Sequence, residues 1–323
     1  MKNLIGGKFV DASNGEKADV INPATNELID TVPLATEEDV DLCVKEAAKA
    51  QKGWAKMPLH ERGDILYKFA DLVEANHEEL AQLLSKETGK PIKEARAEIS
   101  NTKHFVHGYV EKAKHDYGNV IPAGSEVGQE KTMQITVQQP LGVVACIIPF
   151  NFPCDLFGQK VPSALIMGNS VIVKPSTDNP LTLHRYCELL KDAGVPDGVI
   201  NCISGRGSVT GNALAKHPQV ALISVTGSTE VGAEVMANAA ANITHVMLEL
   251  GGNDAFIVMD DADMELTMKE LVWGRLYNTG QVCCASKRFL VQKGIKDEFI
   301  KKAVETLQSL KVAMPQQEDA DIG

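Results

Sequence analysis

The chain has 323 residues, 44% hydrophobic and 23% charged, which is ordinary for a soluble globular protein and long enough for a large core and two domains. Its formal charge of −11 argues against nucleic acid as the main partner. No apolar run reaches the ~18 residues of a membrane helix, and Met1–Lys8 hold no apolar stretch of a signal peptide, so no membrane partner is expected and a cytoplasmic protein is predicted.

In chain order, residues 1–34 read as short strands and turns, with turn signals at Asn14-Gly15 and Asn22-Pro23. Thr36 followed by Glu37, Glu38 and Asp39 is an N-cap with acids at the positive helix end, and Val40, Val44, Ala47 and Ala48 recur at helical spacing. Further helices are predicted at about 59–76, 77–88 and 91–115, punctuated by Gly89 and Pro91. Glycines and prolines break up 118–140, where Lys131–Val137 alternates like an exposed strand of a hairpin arm.

From residue 141 apolar runs at Val143–Ile148, Ser170–Val173, Val199–Ile203, Ala221–Val225 and His245–Leu250 alternate with helical stretches near 155–168, 180–193, 208–216 and 229–241. Continuous apolar strands separated by helices predict an α/β fold with a doubly wound parallel sheet, and nucleotide binding at the carboxyl ends of its strands. A strand at Ala255–Met259, a helix near 262–276, the loop Tyr277–Ser286, a strand at Arg288–Gln292 and a helix near 296–310 complete the chain.

Chemistry collects at the strand ends. Asn151, in Pro149-Phe150-Asn151-Phe152-Pro153, can donate its amide to a developing oxyanion or merely occupy a turn. Lys174 ends a buried apolar strand, either facing the nucleotide crevice or simply solvated. Thr226-Gly227-Ser228 opens a helix whose free N–H groups suit a pyrophosphate, although neither it nor Gly205–Gly211 is a GxGxxG motif. Glu249 interrupts an apolar strand; burial there would raise its pKa and make it a general base, unless it points out of an edge strand. Cys283 stands in the loop Asn278-Thr279-Gly280-Gln281-Val282-Cys283-Cys284, as a nucleophile or an inert thiol. The seven cysteines are odd in number and form no CxxC pair, so neither a disulfide framework nor a metal site is expected.

Asn151, Lys174, the Gly-Ser turn, Glu249-Leu250-Gly251-Gly252 and Gly280-Gln281-Val282-Cys283, in this order, resemble the aldehyde dehydrogenase superfamily from Met1 to Gly323. The resemblance implies a cofactor-binding domain of residues 1–120 and 141–249, an oligomerisation arm at 121–140 and the start of a second α/β, catalytic domain at 250–323. It also implies an NAD(P)-dependent enzyme in which Cys283 attacks an aldehyde. Asn151 and the Cys283 N–H hold the oxyanion, and Glu249 activates the water that frees the acid, a group that acyl-transferring relatives do not rely on. The same resemblance sets the cofactor against Ile147, Ile148, Pro149, Lys174, Ser176, Thr177, Gly207, Gly211, Thr226, Gly227, Ser228, Val231, Leu250 and Gly251.

Many NAD-preferring members carry Glu where Thr177 stands, so NADP is favoured here. Leu156 and Gln159 are expected in the substrate tunnel, and Arg275 is a candidate partner for a substrate carboxylate, or a surface residue; small polar or carboxylated aldehydes are favoured. Full-length members continue past the position of Gly323, through a Glu-x-Phe-Gly-Pro segment and a strand that joins subunits. The homo-oligomer of the family is therefore doubtful for this chain. The alternative reading is a non-catalytic fragment that at most binds nucleotide or needs a complementary C-terminal chain. Retention of Cys283, Glu249, Asn151 and Lys174 argues against an inactive structural relative.

Overall fold

The computed structural model describes residues 1–323. Strands β1 (Asn3–Ile5) and β2 (Lys8–Val10) form one hairpin, and β3 (Lys17–Ile21) and β4 (Leu28–Pro33) a separate one. Helix α1 (Glu37–Trp54) starts as its sequence predicts. The Thr36 side chain accepts from the Asp39 N–H while the Asp39 carboxylate accepts from the Thr36 N–H, a reciprocal capping box. Helices α2 (Leu59–Ala75), α3 (His77–Thr88) and α4 (Ile92–Lys114) follow. Gly89 ends α3 in the left-handed region at φ 75°, and Pro91 directly precedes α4, so the chain turns sharply between them.

The expected arm is present but sparsely paired: β5 (Val120–Ile121) and β6 (Gln134–Ile135) are two residues each, shorter than the Lys131–Val137 alternation implies. Met133, Ile135 and Val137 are exposed, so no buried face holds the rest of that alternation in a ladder.

The apolar runs after residue 141 become β7 (Val143–Ile147), β8 (Ser170–Lys174), β9 (Ile200–Cys202), β10 (Val220–Thr226) and β11 (His245–Glu249), joined through α5 (Pro153–Ile166), α6 (Leu181–Ala193), α7 (Asn212–Lys216) and α8 (Thr229–Ala239). They form one seven-stranded sheet in the order β11-β10-β7-β8-β9-β1-β2, with β7 to β11 mutually parallel. A 35-residue apolar cluster covers one face, including Phe69, Ile99, Phe157 and Tyr186, and a 17-residue cluster including Val40, Val44, Ile172 and Val225 covers the other. Burial on both faces explains why β7 and β8 are apolar without alternation. The stretch expected as one helix at 208–216 is instead a π-type turn over Gly207–Gly211 running into the short α7.

The remaining residues form a smaller α/β unit. Strands β12 (Asp254–Val258) and β13 (Ser286–Val291) pair in parallel, with α9 (Met264–Leu276) and α10 (Lys296–Ser309) beside them. Val258, Met264, Met268, Leu271 and Phe299 are buried there, whereas Ile257, Trp273 and Leu290 are exposed. The polar end of the chain packs back on α4: the Ile92 N–H donates to Pro315 O at 2.8 Å, and Arg96 pairs with Glu318 at 2.7 Å. No helix is long and apolar enough to cross a membrane.

Candidate active site

The register of the sheet assembles the candidate residues. Ile147 stands opposite Lys174 on one side and Val225 on the other, and Thr226 stands opposite Glu249. The sequence leaves β7 toward β8 on one side while β10 lies on the other, so the strand order reverses between β7 and β10. That reversal opens a crevice at the carboxyl ends. Around it lie Pro149, Gly227 and Ser228, the last capping α8 by accepting from the Val231 N–H at 3.3 Å. The Thr226 hydroxyl is buried without a partner. A Cβ placed on Gly207 or Gly211 would meet nothing within 4 Å.

Lys174 is buried, its Nζ bonded within the chain to Pro175 O at 3.1 Å, and desolvation pulls its pKa down to about 8. Ser176 bonds Asp178, and the Thr177 hydroxyl donates to Gly205 O at 3.2 Å, tying the β8 end to the turn before Gly207. Ile148 has its side chain in the core, which leaves only its backbone for a ligand, whereas Val231 and Gly251 are exposed and Leu250 is half-buried. An orphaned hydroxyl, a buried ammonium short of partners and open glycine backbone at a switch point are features a dinucleotide phosphate and ribose fit.

Asn151 and the cysteine loop are tied to each other. The Asn151 Nδ2 donates to Gln281 O at 2.9 Å, leaving its second N–H free, and the Asn278 Nδ2 donates to Asn151 O at 2.8 Å. Asn278 and Thr279 adopt left-handed backbone at φ 48° and 57°, and Gly280 follows at 78°, which folds the loop back so that Cys283 is exposed. Cys283 O accepts from the Gly252 N–H at 3.2 Å, fastening the nucleophile candidate to the Glu249–Gly252 segment. The Cys283 N–H itself has no partner in the chain. Arg275 donates to Gly280 O at 3.4 Å, so within this chain it supports the loop.

Glu249 differs from its expectation. It is exposed on the edge strand β11, whose side chains are exposed or half-buried, which is the alternative to a buried base. It lines a groove of about 700 Å³ with Gln159, Met247 and Lys160, whose Nζ donates to Ser224 at 2.9 Å. Leu156, expected with Gln159 in the tunnel, is half-buried against the main core.

Sequence reasoning missed several groups beneath Asn151: Lys90, Glu94, Glu98, Asp155 and Asn278. The signal was present in part, since Glu94 and Glu98 sit four residues apart within the apolar pattern of α4, where buried carboxylates need partners.

Asp155, half-buried beside Glu98, is the member of this group whose protonation bears on stability. Burial, then the nearby Glu98 carboxylate, raises its pKa from 3.8 to about 7, and its Oδ1 has no partner. The folded state therefore holds a proton that the unfolded chain has released, and stability falls as pH rises from about 4 to about 7. Asp155→Asn is expected to be more stable than the parent at pH 8 by about 2 kcal/mol, with the difference gone below pH 4; urea unfolding at the two pH values checks this.

A doubly wound α/β fold here sets an exposed loop cysteine and an amide donor beside a switch-point crevice, the place where proteins of this fold class bind nucleotides. Within that class the chain belongs to the aldehyde dehydrogenase family, whose model matches residues 9–323. It is 39% identical over 319 residues, 99% of this chain and 64% of the relative, to D-glyceraldehyde dehydrogenase (NADP(+)) of Picrophilus torridus. It is 40% identical over 311 residues, 96% of this chain and 58% of the relative, to the mitochondrial succinate-semialdehyde dehydrogenase of Arabidopsis thaliana. The crystal structure of an aldehyde dehydrogenase from Brucella melitensis biovar abortus 2308 superposes with a TM-score of 0.96 at 37% identity, covering 100% of this chain and 66% of that one. The chain thus spans less than two thirds of the length of the curated relatives it matches first.

Proposed function

We propose that this chain carries the nucleophile and oxyanion site of an NAD(P)-dependent aldehyde dehydrogenase that releases a free carboxylic acid. The observation that carries the reading is the direct tie between the Asn151 amide and the Cys283 loop, beside the crevice at the strand ends. The Cys283 sulfur, as thiolate, adds to the aldehyde carbon and the carbonyl electron pair moves to oxygen. The free Asn151 N–H and the unpartnered Cys283 N–H hold that oxygen. A bound nicotinamide would supply the hydride acceptor for that carbon, and Cys283 would then carry the acyl group as a thioester. Glu249 takes a proton from the water that attacks the thioester; the acid departs and the Cys283 thiol is regenerated. Exposure of Glu249 suits a group that works through solvent-delivered water.

NADP is the favoured cofactor. What supports this is that Lys174 ends β8 near the crevice and that position 177 carries a neutral Thr, with no carboxylate to repel a 2′-phosphate. Two relatives are named as D-glyceraldehyde dehydrogenases using NADP(+), and others as succinate-semialdehyde dehydrogenases, which supports a small polar or carboxylated aldehyde as substrate.

The test is formation of reduced nicotinamide from an aldehyde panel, followed by absorbance. NADP is expected to exceed NAD in kcat/KM by roughly tenfold, about 1.4 kcal/mol. Thr177→Glu is expected to reverse the ratio, because a carboxylate there repels the extra phosphate and accepts from a ribose hydroxyl. An unchanged ratio removes Thr177 from the cofactor site. A second reading, nucleotide binding without turnover, is favoured by the unpaired edges of β12 and β13 and the exposed Ile257, Trp273 and Leu290. Nucleotide binding by calorimetry with no reduced nicotinamide, even as a burst, distinguishes it.

A further inference from the structure

Beneath Asn151 lies an ion pair that the proposed chemistry does not use. Lys90, in the link between α3 and α4, pairs with Glu98 of α4, and both side chains are fully buried. The Lys90 Nζ has a second oxygen partner, Asn151 O at 2.9 Å, and stands 3.9 Å from the centre of the Phe152 ring. Glu98 uses its other oxygen to accept from the Cys154 N–H at 2.8 Å and the Asp155 N–H at 3.3 Å, two of the free donors at the start of α5. The two side chains therefore grip residues 151, 152, 154 and 155.

The same carbonyl is also the point where the cysteine loop attaches. Asn151 O accepts from Asn278 as well as from Lys90, and the Asn278 N–H is held by Glu94 at 2.8 Å, one helical turn before Glu98. One face of α4 thus fixes both the amide donor and the nucleophile loop. Solvation does not explain the arrangement. A buried ion pair is weak as a source of stability, because desolvating two charges offsets their attraction, and apolar residues of similar size would serve the fold as well.

We propose that Lys90 is a positioning residue for the oxyanion site: its ammonium, balanced by Glu98, fixes the Asn151 backbone so that the side-chain amide aims at the oxygen of the adduct on Cys283. The proposal rests on the assignment of Cys283 and Asn151 above. Lys90 touches no reacting atom. Its effect is on the transition state and the tetrahedral adduct rather than on the reactivity of the thiol.

The experiment uses the full chain without cofactor, so that turnover is not needed. A 13C-carbonyl-labelled small aldehyde is titrated and its thiohemiacetal with Cys283 is followed by NMR. The rate of Cys283 alkylation by iodoacetamide is measured in parallel, and folding is checked by thermal melting. Lys90→Met alone strands a buried carboxylate and is at risk of unfolding, so the decisive variant is Lys90→Met with Glu98→Gln. That double variant is neutral, and its Gln oxygen still accepts from Cys154. It is expected to fold and to alkylate within about twofold of the parent, while binding the aldehyde as adduct roughly tenfold more weakly, as for a misaimed oxyanion donor. Unchanged adduct affinity in the folded double variant overturns the proposal. Alkylation slowed in step with adduct formation also overturns it, since the pair would then only hold the loop together. Absence of any adduct in the parent chain overturns the assignment of Cys283, and this proposal with it.

Discussion

Cys283→Ala is expected to lower aldehyde-dependent reduction of the nicotinamide by at least about 10⁴-fold, because the thiol assigned to carry the acyl group is removed. Nucleotide affinity should stay within about twofold, since the crevice at β7 and β10 is built without that side chain. The neighbouring Cys284 supplies the control. Desolvation, then the adjacent Cys283, raises its pKa, so less of it is thiolate at neutral pH. It also follows the residue whose backbone N–H is unpartnered and whose carbonyl is fastened to Gly252. Cys284→Ala should therefore keep activity within about threefold. Rates of reduced-nicotinamide formation and mass spectrometry of the acylated peptide check both variants. Equal losses at the two cysteines, or survival of turnover in Cys283→Ala, would move the nucleophile away from position 283.

Much of this site was legible in the residues because its parts sit where secondary structure changes. Lys174, read at the end of an apolar run, is the last residue of β8, and Glu249, read as interrupting a strand that continued to Leu250, proves to be the last residue of β11. The parallel sheet was legible for the same reason, since strands buried on both faces cannot alternate. What stayed hidden was tertiary. The exposure of Glu249 could not be inferred from Leu248 and Leu250, because it depends on what covers the faces of β11, whose side chains here are exposed or half-buried. Lys90 lies outside α4, 8 residues from Glu98, and 61 residues from Asn151, so no local period predicts that the three meet. Asn278 carried no signal of its αL backbone beyond being an Asn before Thr279 and Gly280, and the consequence, an exposed Cys283, comes from the fold of the whole loop. Phe152 and Tyr277 stack at 5.4 Å between centroids, a contact that joins the two ends of the site without any local sequence cue.

Asn151→Ala is expected to lower kcat by roughly 10² to 10³, the loss that follows removal of one preorganised oxyanion donor. The amide has two N–H groups. One is committed to Gln281 O, which fixes the rotamer before any substrate arrives, and the other is left to face charge as it develops. Only the second contributes to the barrier, so the effect should fall on kcat and little on KM. Two comparisons separate this from simple damage to the loop. Asn151→Asp keeps the size of the side chain but replaces both donors with acceptors and sets a carboxylate against a forming oxyanion and against Gln281 O; it should lose at least as much rate as Ala. Cys283 alkylation in Asn151→Ala should remain within a few-fold of the parent, because Asn278 and Lys90 contact the backbone oxygen of residue 151, which the substitution leaves in place. If KM rises while kcat is kept, Asn151 binds the ground-state aldehyde and stabilises nothing further. If alkylation collapses with activity, the bond to Gln281 serves the loop and the oxyanion must be held by the Cys283 N–H alone.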